Sequence, residues 1–518
     1  MAFSKHPALG LALPRQLVSL LAFIFLIFCW LFLFSFISPA AREILNVYSL
    51  PSFLRPSTAA ADPLDSISVL MKTGSSVMWQ RVPIHFVTSF RDLHHFQIYS
   101  DSPASIAGHN VVDALANCSD FLKSTEDFEP YRYVSSLVDR HASIASQPDS
   151  SSSTGNYYGF TSTSQQQPLA VPDPHVEPHQ PVAGPNWSID KFKNLPMLAD
   201  AYRNRLPQTK WFVFLDADSY ILWRQLAQWL STLDPSTPLY MGSIVGSAND
   251  QFAHGGSGVV LSLAAMDKVF GSNPNIEHMY DLEALEDCCG DHLISRVLLD
   301  NNVHPALGDN EYPYSHHKFQ GEPHWAVQFH TDNFCSDIMS FHHLSPRDIE
   351  EIDAVEREFA ASNRHVRYRD IYERFVRPHL EAVKEDWNNF SNDIVYTSRS
   401  KRSIYDPAPS VASHRAETAE NQKDAKHYAS FDACSAACDE NPACMQFRYS
   451  KNYCGLGLGV SLGQVVVVDP STDRNRKWKQ KKHAKLSADK TLEQQRMGTW
   501  TSGWKLDRIA SSLDTIFC

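Results

Sequence analysis

The chain has 518 residues, more than one compact domain normally holds, so a large domain with a smaller companion is expected. With 43% hydrophobic, 11% aromatic and 20% charged residues, its composition is globular and supplies a sizeable core. A net charge of −12 argues against a nucleic-acid partner, and the one long basic run, Arg474–Lys485, reads as a solvated loop.

After a short tail (1–16), Leu17–Ile37 is an unbroken apolar run of 21 residues, long enough to span a bilayer core. Lys5 and Arg15 precede it, whereas Arg42 just beyond is offset by Glu43. The positive-inside rule then leaves the tail cytosolic and the rest of the chain lumenal. A cleaved signal peptide is the alternative, since Pro39-Ala40-Ala41 is a small-residue stretch, but the run exceeds the usual signal core of about 7–15 residues. Two features agree with a lumenal body. Asn117-Cys118-Ser119, Asn186-Trp187-Ser188 and Asn389-Phe390-Ser391 are glycan-acceptor triplets. Four of the ten cysteines crowd into Cys434–Cys454, as in disulfide-bonded modules. Nine cysteines lie beyond the apolar run, an odd number, so at least one is free or pairs with another chain.

Residues 38–65 are rich in Pro, Ala and Ser and read as a stem. From 66 to 385 the text is α/β. Ser66–Met71, Val82–Thr88 and Phe96–Tyr99 are β-prone runs, the last ending at Ser100-Asp101. Residues 143–186 are Ser-, Gln- and His/Pro-rich and are expected to be a disordered insertion; His175 and His179 there lack further ligands spaced for a metal. Leu195–Leu206 reads as a helix, Trp211–Leu215 as a buried strand, Trp223–Leu233 as a helix and Leu239–Ser243 as a strand. A glycine-rich turn, His254–Gly258, precedes a strand at Val259–Ser262; a helix follows over Asp291–Leu299. Ser345-Pro346 opens another helix with a favourable N-cap and Pro at its first position. Residues 386–424 look like a linker and 425–518 like a small Cys-rich module.

The chemistry centres on Asp216-Ala217-Asp218. An apolar strand ending in Asp-x-Asp sets two carboxylates at a strand tip facing a ligand crevice. Hard oxygen ligands there suit Mg²⁺ or Mn²⁺, which in turn suits a diphosphate. The same text fits a phosphatase with Asp216 as nucleophile, but that enzyme would carry its motif near the domain start, and about 150 residues precede this one. A pair that merely caps the following helix is the structural reading.

Taken in order, Trp211–Tyr220, Ala253–Ser262, Gly290-Asp291 and Ser340–Ser345 resemble glycosyltransferase family 31, closest to its fungal branch related to core 1 β1,3-galactosyltransferases and Fringe. The resemblance implies a GT-A, Rossmann-like nucleotide-sugar fold, an inverting mechanism, a UDP-sugar donor and Mn²⁺ (or Mg²⁺). Asp216, Asp218 and His342 match the family's metal ligands, with His343 able to exchange roles with His342. Asp291 matches the general base, and Asp287 is the second choice because Glu286-Asp287 lies just upstream. Gly255 and Gly256 would let backbone approach the donor sugar, since glycine has no Cβ. Lys72, Thr73 and Gly74 correspond to the uridine-binding edge. Ser100 and Asp101 are further nucleotide candidates, Lys191 or Lys193 a diphosphate contact, and Glu322 an acceptor contact. A disulfide from Cys288 or Cys289 to Cys335 is expected beside the site.

The spacing of Cys434, Cys438, Cys444 and Cys454 resembles a PAN/apple module of small α+β fold, which implies an inner Cys438–Cys444 and an outer Cys434–Cys454 bridge. The expected protein is a single-pass type II Golgi membrane enzyme, anchored by its N-terminal helix. It transfers a hexose, galactose by resemblance, to a glycan or glycoprotein acceptor in a β1,3 linkage, and a homodimer is left open. The competing class is an inactive, glycan- or protein-binding membrane protein acting through the Cys-rich module.

Overall fold

The computed structural model describes residues 62–136, 187–247, 250–273, 275–306, 318–397, 426–465 and 500–518. The candidate membrane span, the stem up to residue 61, the whole of the insertion 143–186 and residues 398–424 lie outside them. Among the described residues no helix is long and apolar enough to cross a membrane.

Strands β1 (Ile67–Lys72), β2 (Phe96–Ser100), β3 (Ala104–Ile106), β4 (His109–Asp113) and β5 (Trp211–Asp216) build most of a seven-stranded sheet. The short β6 (Tyr220–Ile221) leaves it, β7 (Tyr240–Gly242) returns to its edge, β8 (Ile244–Ser247) and β9 (Asp250–Ala253) form a hairpin, and β10 (Val259–Ser262) rejoins the sheet. Its order is β3-β4-β2-β1-β5-β10-β7, with β1 parallel to β2 and β5, and β10 antiparallel to β5. Trp211, Val213 and Leu215 pack into one core and Phe212 and Phe214 into another, so the apolar run of β5 is a strand buried on both faces. The register sets Lys72 opposite both Tyr99 and Asp216, which gathers these tips at the carboxyl end of the parallel strands.

The run Val82–Thr88, expected as a strand, is instead helical. Helix α1 (Met78–Arg81) is followed directly by α2 (Pro83–Val87), where Pro83 stands at the first helical position with a suitable φ. The β-branched content of the run therefore misleads. Helices α3 (Asn194–Arg203), α4 (Trp223–Leu230), α5 (Gly290–Asp300) and α6 (Pro346–Ala361) fall where expected, and α6 opens on a capping box of Ser345 and Asp348.

A second sheet forms the C-terminal part. Strands β11 (Ser340–Phe341), β12 (Val383–Glu385), β13 (Trp387–Asn388), β14 (Ile394–Thr397), β15 (Gln446–Ser450), β16 (Tyr453–Gly457), β17 (Gln464–Val465) and β18 (Thr501–Trp504) complete the set, with α7 (Phe431–Glu440) among them. Five of these form the order β12-β18-β15-β16-β14. The linker expected from 386 is not seen over its first part: Val383–Glu385 and Ile394–Thr397 belong to this sheet and Trp387–Asn388 pairs with Gln464–Val465 beside it, although their apolar runs are too short to announce strands. The bridges Cys434–Cys454 and Cys438–Cys444 are present. Val460, Leu462, Trp504 and Ile509 share one core with Phe329, Phe341, Tyr368 and Tyr372, so the two parts are packed together.

The expected bridge to Cys335 is also corrected. Cys335 pairs with Cys518, and Cys288 pairs with its neighbour Cys289. Cys335 lies in the segment that meets the C-terminal part, where Phe329 bridges to Val460 and Arg367 donates to the Cys518 carbonyl. The odd thiol is Cys118, which is buried.

Asn389 does not fit a glycan acceptor. It is fully buried, its Nδ2 donates to the Phe447 carbonyl at 3.1 Å, and its Oδ1 accepts from Ser391 Oγ at 2.7 Å. Asn389→Ala is therefore expected to leave glycan mass unchanged while costing about 1–3 kcal/mol for the buried partners it strands. Intact mass before and after deglycosylation, with thermal unfolding, checks both outcomes.

Candidate functional site

The Asp-x-Asp turn begins where β5 ends. Lys72 Nζ lies 3.2 Å from Asp216 Oδ1 and 2.6 Å from Asp190 Oδ2. Burial alone would lower the Lys72 pKa, but these two carboxylates raise it above the ordinary range. Lys193, also buried, donates to the Thr73 carbonyl at 2.9 Å and pairs with Asp101 at 3.1 Å and Asp190 at 3.0 Å. Asp101 in turn accepts from Ser75 N and Oγ. Lys72, Lys193, Asp190, Asp101 and Asp216 thus form one connected charge network beneath the Thr73-Gly74 loop.

Asp218 points the other way. Its approach to His342 is set by strand pairing: β6 and β11 run antiparallel, with Tyr220 opposite Phe341, and Leu344 N donates to the Asp218 carbonyl at 2.9 Å. Asp218 and His342 are both buried, with Asp218 Oδ1 3.5 Å from His342 Nε2. His342 Nε2 stands 3.9 Å from Asp216 Oδ2, and His343 Nδ1 stands 4.0 Å from Asp218 Oδ2. Burial would raise the Asp218 pKa and depress that of His342. Their mutual approach reverses both, leaving Asp218 below the usual carboxylate range and His342 above the usual imidazole value. Burial and the adjacent His342 push His343 down to about 4.

One ligand atom each from Asp218, His342 and His343 falls within 4.8 Å of the others. Separations of 3.5–4.0 Å are too long for good hydrogen bonds and leave room for an ion. Carboxylate with imidazole suits Mn²⁺ better than Mg²⁺, which favours oxygen alone. The residues therefore fit a divalent cation. Asp216, expected as a ligand, borders this set and is engaged by Lys72; His343, expected as a stand-in for His342, joins it instead.

The glycine-rich turn packs between the two motifs. Ser219 Oγ donates to the Gly256 carbonyl at 2.5 Å and Ser340 Oγ to the Ser257 carbonyl at 2.6 Å. A Cβ on Gly256 would overlap the His342 ring, and this close approach is why glycine stands there. On its other side, Gly255 N donates to Asp291 Oδ2 at 2.9 Å. Asp291 sits in the first turn of α5, where the helix dipole favours a carboxylate. The second candidate base, Asp287, is buried and occupied by His292 Nδ1 at 2.8 Å, with Arg296 3.7 Å away.

Three expected nucleotide contacts are placed otherwise. Lys191 Nζ donates to the carbonyls of Leu285 and Asp287, at 2.9 and 3.0 Å, and holds the loop before α5 rather than a diphosphate. Ser100 and Asp101 are fully buried and brace the Thr73-Gly74 loop from beneath. Thr73 Oγ1 is buried with no hydrogen-bond partner, in keeping with a loop shaped for a polar ligand. Sequence reasoning missed Asp190, His85 and Arg81. Buried His85 Nε2 is 2.9 Å from the Ala217 carbonyl and so holds the middle of the Asp-x-Asp turn. No spacing in the sequence marks any of the three.

Residues 186–307 match the Fringe-like family model. The matched stretch contains Asp216, Asp218, Gly255, Gly256 and Asp291 and ends before His342, so strand pairing, not the match, brings that histidine to the site. A Fringe-like domain indicates a glycosyltransferase, and the parallel-rich sheet fits its GT-A fold. Such an enzyme takes a nucleotide-sugar donor and a glycan acceptor. A search of curated proteins finds no match.

Gly256→Ala should displace the His342 ring and weaken Mn²⁺ binding by about 10–100-fold, as loss of ligand support does elsewhere. Titration calorimetry beside a far-UV spectrum tests this, and unchanged affinity would detach the turn from the cation site.

Proposed function

We propose that the chain is an inverting, metal-dependent glycosyltransferase. It moves a hexose, galactose by family resemblance, from a UDP-sugar to a hydroxyl of a glycan or glycoprotein, forming a β1,3 linkage. One observation carries this reading: Asp218 and His342 converge on one side of the Gly255-Gly256 turn, and Asp291 is held on the other.

Asp218 and His342 would hold the cation, with His343 and Asp216 beside them. A bound Mn²⁺ supplies charge neutralisation for the departing diphosphate. The Thr73-Gly74 loop, kept in shape by Lys193 and Asp101, would seat the nucleotide. Asp291 would take the proton from the acceptor hydroxyl as its oxygen attacks the anomeric carbon from the face opposite the diphosphate. The amide of Gly255 fixes one carboxylate oxygen and the amide of His292 the other, which orients the group for the acceptor.

The apolar run 17–37 and the four disulfides support a type II Golgi enzyme with a lumenal body, because bridges persist in oxidising compartments. The C-terminal unit is read as a PAN/apple-like module on its two nested bridges.

Asp291→Asn should reduce turnover by about 10²–10⁴-fold and leave Mn²⁺-dependent UDP binding intact. Asp218→Ala should abolish that binding. UDP release measured across UDP-Gal, UDP-GlcNAc, UDP-GalNAc and UDP-Glc selects the donor. Full turnover in Asp291→Asn would remove Asp291 as base, and wild-type protein that fails to bind UDP with Mn²⁺ would refute the enzyme reading.

A further inference from the structure

His292 follows Asp291 in the first turn of α5, and its ring joins two other carboxylates. Nδ1 stands 2.8 Å from both oxygens of Asp287, and Nε2 stands 2.7 Å from Asp250 Oδ1. A neutral imidazole has one N–H and one lone pair. Between two ionised carboxylates it would turn that lone pair toward an oxygen. Only the imidazolium donates at both ends, so the geometry calls for a charged ring.

The two partners belong to different elements. Asp287 lies just before α5, whereas Asp250 opens β9, which runs directly into the Gly255-Gly256 turn. Ser295 Oγ of α5 donates to the Gln251 carbonyl at 2.9 Å, and the Phe252 ring meets His292 edge-on at 5.3 Å. Asp291 is held from both sides of this junction: Gly255 N reaches one oxygen and His292 N the other. The ring therefore clamps together the two elements that fix the candidate base.

Other charges surround it. Arg296 Nη1 is 3.7 Å from Asp287 Oδ2, and Lys191 Nζ is 3.0 Å from the Asp287 carbonyl, so both oppose a positive ring; the adjacent Asp291 favours one. Burial lowers the imidazole pKa, but hydrogen bonds to Asp250 and Asp287, with their charges, raise it above the ordinary value. A pKa raised on folding means that the clamp is complete at acidic pH and is lost as pH rises through the raised value.

On the enzyme reading given above, we propose that His292 is a positioning residue: its imidazolium clamps β9 to the start of α5 and so holds Asp291 against the Gly255 amide. When the ring gives up its proton to solvent, one contact sets a lone pair against a carboxylate. Strand β9 is then free to draw Gly255 away from Asp291. Asp218 and His342 are placed by β6 and β11 instead, so cation and donor binding do not follow the charge on this ring.

The test uses the detergent-solubilised full chain at pH values on both sides of the ordinary imidazole value of about 6.5. Hydrogen exchange of residues 250–256, corrected for its intrinsic pH dependence, reads the clamp. UDP release from the donor selected above reads turnover, and calorimetry reads UDP affinity at saturating Mn²⁺. Wild type should lose protection and turnover together as pH rises, with UDP affinity constant. His292→Gln should be unclamped at every pH, with kcat about 10–100-fold lower, as expected for a small displacement of a reacting group. Asp250→Asn changes an exposed position and offers an amide N–H to the lone pair of a neutral ring. Its clamp should survive deprotonation, and the fall at high pH should disappear. Wild-type protection that ignores pH would overturn the proposal, as would an Asp250→Asn variant that keeps the wild-type pH profile. Wild type that binds no UDP with Mn²⁺ removes the enzyme reading and the role at Asp291 with it, whereas UDP binding without pH-dependent protection removes the clamp alone.

Discussion

The site depends on one short strand pairing. Tyr220–Ile221 runs antiparallel to Ser340–Phe341, and so brings His342 against Asp218 although 124 residues of sequence separate them. Two residues on each side would be a weak ladder in isolation. Here the pair is buried among Tyr220, Phe341, Ile349, Ile352 and Tyr368 in the same core that receives Val460, Leu462 and Trp504 from the C-terminal part. Packing around the ladder, rather than the ladder itself, sets the carboxylate–imidazole distance. The C-terminal part therefore contributes to the candidate cation site at a distance: it completes the core behind the strand that leads into His342. The Cys335–Cys518 bridge ties the same two regions covalently.

A second constraint is electrostatic. Taking charges out of water is expensive, and the structure meets that cost by pairing. Asp190 serves both Lys72 and Lys193, and Asp101 has Lys193 together with two bonds from Ser75. This network ties the Thr73-Gly74 loop to the end of β5, where the Asp-x-Asp turn begins. His85, held neutral by a pKa pushed down to about 4 through burial, anchors the Ala217 carbonyl between the two acids without adding charge there.

Much of the sheet could be read from the sequence because β5 is apolar on both faces and ends abruptly in two acids. The glycine turn and Asp291 were readable for a similar reason: small residues and a helix start leave local signals. What the sequence hid was pairing over distance. Lys191 and Lys193 look alike in the chain, yet one holds the carbonyls of Leu285 and Asp287 and the other sits under the Thr73-Gly74 loop, because the chain passes between them from the 3₁₀-helix Trp187–Phe192 into α3. Cys335 lies close to His342 in sequence but faces the C-terminus in space, which is why its partner was misassigned. Residues 386–397 read as linker in sequence because their strands are two to four residues long and gain stability only from partners distant in the chain.

The central claim is that Asp218 and His342 hold a divalent cation beside the donor nucleotide. Anomalous diffraction at the manganese edge, from crystals grown with Mn²⁺ and UDP, tests it most directly. The account predicts one peak in contact with the Asp218 carboxylate, the His342 imidazole and the UDP diphosphate. Ordered UDP in the cleft with no peak at Asp218, or a peak held by other residues, would contradict it.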